Sequence, residues 1–304
     1  MSQFNPDIVS PLINSYVTLV NRRNFLKLYE KEFAKVSWSR RFRYKHKVQL
    51  GFEWANRTEL FNNTNYSVKD TESRPYRLNR PRVNELTGDI LEFNRASKAY
   101  AYYAIRPFLK FRRYNGRLIP LLDSSPEFSL TYRKGIDGLL NSEVDYDHLE
   151  FGIESKFNLG VRATFDFNLE AGTFLNASAA SLPDFKHFSG NRLLFVPLKV
   201  TGGFRMLDYY RYSTTEDYVS FLSHLRLRKF LFTQLPMLRI SGIKENLFFN
   251  YLNTSTAENY TEVGYTIDNI FRIFRVEFIQ SFQDWKAKDF GVRIGVAAII
   301  GDSN

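Results

Sequence analysis

Cysteine is absent from the chain, so neither a disulfide framework nor a thiolate-bound metal centre is available to it. Histidine is scarce: His46, His148, His187 and His224 are the four in 304 residues. No His, Asp and Glu fall at metal-ligand spacing. Gly202-Gly203 lacks the Lys and Ser/Thr of a phosphate-binding loop. No catalytic, cofactor or metal constellation is therefore read, and the chain is expected not to be an enzyme. Long hydrophobic runs are missing too. The final one, Val292 to Ile300, is about half of the ~20 apolar residues a membrane helix needs. The opening, Met1 to Pro6, has no charged-then-apolar leader.

What the chain does have is aromatic side chains, 29 Phe and 18 Tyr, with a mean hydropathy of only −0.33. A transmembrane β-barrel gives that combination, because one side of each strand meets lipid and the other meets water. The formal charge of +10 fits nucleic acid, anionic lipid or an acidic partner. Lys and Arg alternate with apolar residues instead of forming a block, so nucleic acid is not expected as a partner.

Period-two alternation recurs from about residue 33 onward. Val161, Ala163, Phe165, Phe167 and Leu169 share one face, while Arg162, Thr164, Asp166, Asn168 and Glu170 share the other. The same pattern appears around Val48 to Trp54, Phe128 to Tyr132, Leu149 to Leu159, Phe221 to Leu227, Phe274 to Phe278 and Phe290 to Ile300. About twelve strands are predicted, over 33–43, 46–58, 99–113, 125–136, 145–159, 161–174, 192–203, 204–213, 218–232, 241–253, 260–283 and 289–300, with room in 260–283 for a loop or a further strand. Asn158-Leu159-Gly160 and Asn115-Gly116 mark tight turns, the latter a strong hairpin dipeptide. Longer polar stretches, 62–88 and 253–259, alternate with them, as short turns and long loops do on the two rims of an outer-membrane barrel.

The predicted fold is an all-β antiparallel transmembrane barrel over 31–304, preceded by a helical and loop segment over 1–30. In that segment Leu12, Tyr16, Leu19 and Val20 share a helical face behind Ser10 and Pro11, placing a short helix on the periplasmic rim or in the lumen. Arg162, Asp166, Glu170, Arg226, Arg228 and Arg293 are expected to face a watery lumen, since such charges in a soluble core would be costly. Trp38, Tyr44, Trp54, Tyr132, Tyr251 and Trp285 sit toward strand ends, as interfacial belts require. A soluble sandwich or solenoid would explain the alternation but not the strand length.

Four segments resemble one family: FNPDIVSPLINSYVTLVNRRNFLKLYEKEF (Phe4–Phe33), LPDFKHFSGN (Leu182–Asn191), FRMLDYYRYSTTEDYVSFLSHLRLRKFLF (Phe204–Phe232) and NYLNTSTAENYTEVGYTIDNIFRIFRVEF (Asn250–Phe278). They look like a Bacteroidetes outer-membrane family of unassigned function that pairs a carboxypeptidase-regulatory-like domain with a large barrel. The resemblance implies that this chain is the barrel portion of a longer exported protein, with further strands bringing the wall to about sixteen. That number is shared with the barrel-assembly (BamA-like) superfamily, which it resembles more distantly. The superfamily's inward-folded Arg motif has Arg205 and Arg211 as candidates here. The terminal aromatic common in outer-membrane strands is absent from Ile300-Gly301-Asp302-Ser303-Asn304.

The expected location is the bacterial outer membrane, with lipid and other envelope proteins as partners and no cofactor. Asp184, His187, Asn191 and Arg211 form the candidate functional loop, through docking or gating. Three roles are open: assembly or transport, a structural barrel anchoring an upstream domain, and a hydrolase built on His224 with Ser220 or Ser223.

Overall fold

Alternating sequences of this length can only form long ribbons, and the computed structural model contains them. It describes residues 1–5, 11–62, 66–68, 76, 79–86, 93–190, 203–237 and 242–296. The strands are β1 (Ser2–Gln3), β2 (Leu28–Phe42), β3 (His46–Glu59), β4 (Asn94–Ile105), β5 (Lys110–Tyr114), β6 (Arg117–Leu121) and β7 (Glu127–Gly135). They continue as β8 (Asp145–Leu159), β9 (Ala163–Ala179), β10 (Tyr218–Leu227), β11 (Lys244–Asn253), β12 (Tyr260–Ile270), β13 (Phe274–Gln283) and β14 (Lys286–Val296). One helix, α1 (Pro11–Asn21), precedes β2. Twelve strands form one sheet in the order β1-β2-β3-β4-β7-β8-β9-β10-β11-β12-β13-β14, and every pairing in it is antiparallel. β5 and β6 form a separate hairpin.

The sheet is not closed into a barrel by this chain. Among the described residues no pairing joins β14 back to β2. β1 covers only Leu28 and Tyr29, which leaves the rest of that edge of β2 unpaired within the sheet.

The sheet is polar within and apolar without. On β3, Glu53, Ala55 and Arg57 on one face are buried, while Leu50 on the other face is 48% exposed. On β13 and β14, Glu277 and Arg293 are buried, whereas Phe278, Phe290, Val292 and Ile294 are exposed. Burying carboxylates and guanidinium groups while presenting phenyl rings to the outside is the reverse of a water-soluble sheet. Cross-strand packing on the inner face repeats one device. Tyr100, Tyr146, Tyr218 and Phe248 each lie over the glycine directly opposite in register: Gly51, Gly135, Gly172 and Gly264. At Gly264 a Cβ would stand 2.9 Å from the Phe278 carbonyl oxygen as well as against the Phe248 ring, so only hydrogen fits there.

Several boundaries differ from expectation. The span 99–113 breaks after Ile105, where Pro107 removes a ladder donor, and resumes as β5. The span 260–283 is two strands, joined by a turn in which Phe271 and Arg272 take positive φ. The segment 204–213 is not a strand; its aromatic residues pack inside the sheet instead. The predicted strand 192–203 lies almost wholly outside the described residues, as do Ser10 and the last residues of the chain.

One rim carries the short turns 43–45, 160–162 and 271–273, together with 106–126 and 228–243. The opposite rim carries the long connections 60–93 and 180–217 together with 136–144, 254–259 and the two-residue turn Asp284-Trp285, so short turns are not confined to one rim. α1 lies at this second rim, where the Val68 amide donates to the Leu19 carbonyl. The helix ends as Arg22 enters the left-handed region at φ 51°. Of the face read from the sequence, Leu12, Tyr16 and Leu19 are exposed and Val20 is half-buried, and Val17 is the residue that packs inward.

Candidate functional site, an inward-folded connection

The described legs of the 180–217 connection, 180–190 and 203–217, lie against the polar side of the sheet. The incoming leg begins with a short turn, Leu182–Asp184, and the outgoing leg returns through Thr214. Lys186 and Thr214 exchange backbone hydrogen bonds at 3.0 and 3.1 Å, and the Phe204 amide donates to the Ser189 carbonyl at 2.8 Å. The legs approach so closely that a Cβ at Gly203 would stand 2.5 Å from the Ser189 oxygen, which explains the glycine.

Three anchors hold this strap to the wall. At the first, the Arg57 Nη1 of β3 reaches both Asp184 oxygens at 2.8 Å, and Lys98 of β4 reaches one at 3.3 Å. Both Arg57 and Asp184 side chains are fully buried. Burial alone would push the Asp184 carboxyl up; the Arg57 and Lys98 charges outweigh it and hold the group below its ordinary value. At the second, Lys186 donates to Glu150 of β8 at 2.5 Å and to Glu170 of β9 at 2.6 Å. Burial lowers that ammonium, but the carboxylates, Glu170 foremost, raise it above its ordinary value overall.

The third anchor is Glu262 of β12. Its carboxylate accepts the backbone amides of Arg205 and Met206, both at 2.7 Å, the Tyr260 hydroxyl at 2.8 Å and the Asn250 amide at 3.1 Å. Arg205 itself lies 3.6 Å from Glu277 of β13 and over the Phe248 ring of β11. Arg293 of β14 donates to the Arg205 carbonyl at 2.8 Å. The strap thus joins strands from β3 to β14. Phe188, Phe204, Leu207 and Tyr212 of the strap pack with Tyr218, Leu222 and Leu252 of the wall, while Leu182, Phe185 and Tyr210 meet Phe4 and Val17 at the rim.

His187 is internal to the strap. Nε2 donates to the Leu182 carbonyl at 3.0 Å, so Nδ1 accepts from the Ser213 hydroxyl at 2.7 Å in the neutral ring. Burial pushes its pKa down to about 4, against a smaller upward pull from the Leu182 carbonyl.

The sequence-predicted residues divide accordingly. Asp184 and His187 are structural members of the strap. Arg211 is half-buried at the rim, paired with Asp208 at 3.3 Å, and Asn191 lies outside the described residues. Asp166, Glu170, Arg226 and Arg293 are on the inner face; Arg226 meets Asp166 at 2.6 Å. Arg162 and Arg228 are not on strands: Arg162 sits exposed in the turn after β8, and Arg228 follows the end of β10, donating its amide to the Arg162 carbonyl. Sequence reasoning missed Arg57, Glu150, Glu262 and Glu277. Their only signal was a charge on the polar side of an alternating run.

The hydrolase geometry is not assembled. His224 faces Asp166 at 3.8 Å, but no seryl hydroxyl bonds its ring. Ser223 points to the other face and donates to the Phe249 carbonyl. Among the described residues no three His, Asp or Glu side chains group as a metal site.

Fold and site together define a class: a long antiparallel meander with a polar inner face, an apolar outer face, and one connection folded inward and tied to the wall by ion pairs. The chain belongs to the DUF5686 family of unknown function, whose C-terminal domain matches residues 1–267. No curated protein matches it.

Proposed function

We propose that this chain forms most of the wall of an outer-membrane β-barrel whose interior strap governs passage, or wall opening, during envelope assembly or transport. The supporting observation is the inverted polarity of the sheet combined with the buried Arg57–Asp184 and Glu262–Arg205 anchors. An apolar outer belt suits acyl chains, and the inner charges are held by partners of opposite sign. The unpaired edges of β2 and β14 cannot face hydrocarbon; further strands of the same wall, as the barrel-assembly resemblance implies, would cover them. Arg205 then takes the place of that superfamily's inward-folded Arg. On this reading the protein is one of a Bacteroidetes envelope family, and the strap side of the wall faces away from the short-turn rim.

A strap held by ion pairs is a device that can be released, which a purely structural barrel does not need. Two measurements test this. In planar bilayers the native protein conducts weakly, and Asp184→Ala with Glu262→Ala raises the conductance. Deletion of the gene depletes other barrel proteins from the membrane if the role is assembly. Unchanged conductance together with unchanged membrane composition would turn the reading to an anchoring barrel.

A further inference from the structure

The β5–β6 hairpin stands clear of the main sheet on the short-turn rim. Asn115 and Gly116 at its tip take φ of 47° and 77°, as a two-residue turn requires. Its register places a cation against an apolar group at almost every step: Lys110 with Leu121, Arg112 with Ile119, Arg113 with Leu118. Successive residues point to opposite sides, so both faces carry both characters. Leu118 and Ile119 are exposed. An isolated two-stranded ribbon is marginal in water, and nothing in its own pairing relieves the charge.

The nearby acids are already engaged. Asp123 meets Lys156 at 2.7 Å, and Glu127 meets Arg106 at 2.9 Å. Among the described residues Lys110, Arg112, Arg113 and Arg117 have no acidic partner. The Tyr44 ring meets Phe111 at 5.9 Å, tying the hairpin to the 43–45 turn, where Arg41 and Arg43 are also exposed. At the opposite rim the pattern differs: Arg80 pairs with Glu59, Lys134 with Asp147 and Arg211 with Asp208.

We propose that this hairpin and turn form a docking surface for the phosphate headgroups of anionic phospholipid. The inference rests on the membrane reading above. Charge complementarity selects an anion. The apolar groups between the cations, and continuity with the outward-facing Trp38, Leu50 and Tyr103 of the wall, select a lipid surface over a soluble acidic protein.

The absence of cysteine allows single-site labelling. Ile119→Cys, and separately Val292→Cys on the wall, carry an environment-sensitive dye in the complete chain, inserted into phosphatidylcholine vesicles with or without phosphatidylglycerol. The wall dye reports an apolar setting in both. The hairpin dye shifts to the blue only with phosphatidylglycerol, and the shift is lost in R112Q/R113Q/R117Q and in molar salt. Each cation favours the docked state about fivefold, so removing three lowers the docked-to-free ratio roughly 100-fold. A hairpin dye indifferent to lipid charge, or a triple variant that still responds, overturns the proposal and points to an acidic protein partner. A wall dye that reports water overturns the membrane reading itself.

Discussion

Removing the Asp184 carboxylate is the sharpest test of how the strap is held. In Asp184→Ala the fully buried Arg57 guanidinium keeps only the Asn94 side-chain oxygen, at 2.8 Å. A buried ion left without its partner costs about 3–5 kcal/mol. Lys98 is less affected, because Glu53 stands 3.4 Å away. Removing both partners in R57M/D184L fills the space with apolar atoms and leaves no stranded charge, so its cost falls to about 1 kcal/mol. A double-mutant cycle that adds the single variants R57M and D184L then gives a coupling above about 2 kcal/mol. Urea unfolding in detergent, followed by tryptophan emission, measures all four variants. Trp54 lies on the same strand as Arg57 and reports the region directly. If Asp184→Ala stays within about 1 kcal/mol of native, or the double variant is as damaged as the single one, the anchor does not hold the strap as argued.

Three further outcomes are expected. His187 is held neutral in the fold with a pKa of about 4, against about 6.5 when unfolded. The unfolded chain therefore binds more protons between those values, and stability is full above pH 6.5 and falls by roughly 3 kcal/mol toward pH 4; His187→Gln should flatten that slope in unfolding titrations. Gly264→Ala forces a methyl onto the Phe248 ring and the Phe278 carbonyl and should cost about 1–3 kcal/mol, read as a lowered urea midpoint. Glu262→Gln replaces a carboxylate oxygen that accepts two of the four contacts with an amide NH2 facing donors, at a cost of about 1.5–3 kcal/mol, and protease should then cut the strap faster than in the native protein.

Strand existence was legible because alternation is a local property. The run predicted over 145–159 matches β8 in full, and 161–174 lies largely within β9. The failures have local causes as well. Phe204 to Ser213 alternates aromatic with polar residues but belongs to a strap, because its apolar side chains find Tyr218, Leu222 and Leu252 inside the sheet instead of lipid outside it. Phe271 and Arg272 do not announce a turn by residue type; they take positive φ because the β12–β13 hairpin demands it. The site was less legible than the fold. Asp184 was noticed in its segment, but its partner Arg57 is 127 residues earlier, and no pattern in a single sequence pairs them. Arg205 was a candidate by resemblance; the carboxylates that receive it came only from the fold, which puts Glu262 and Glu277 on the inner side of the paired strands β12 and β13, four register positions apart.

The account rests on the two sides of the sheet meeting different solvents. Single spin labels placed in turn from Leu149 to Phe157 along β8, in the protein reconstituted in bilayers, test that most directly. Collision rates with oxygen should peak at Phe151, Ile153 and Phe157, and those with a water-soluble nickel chelate at Glu154 and Lys156, alternating with a period of two residues. Labels at all these positions reporting the same watery environment, without alternation, would contradict it.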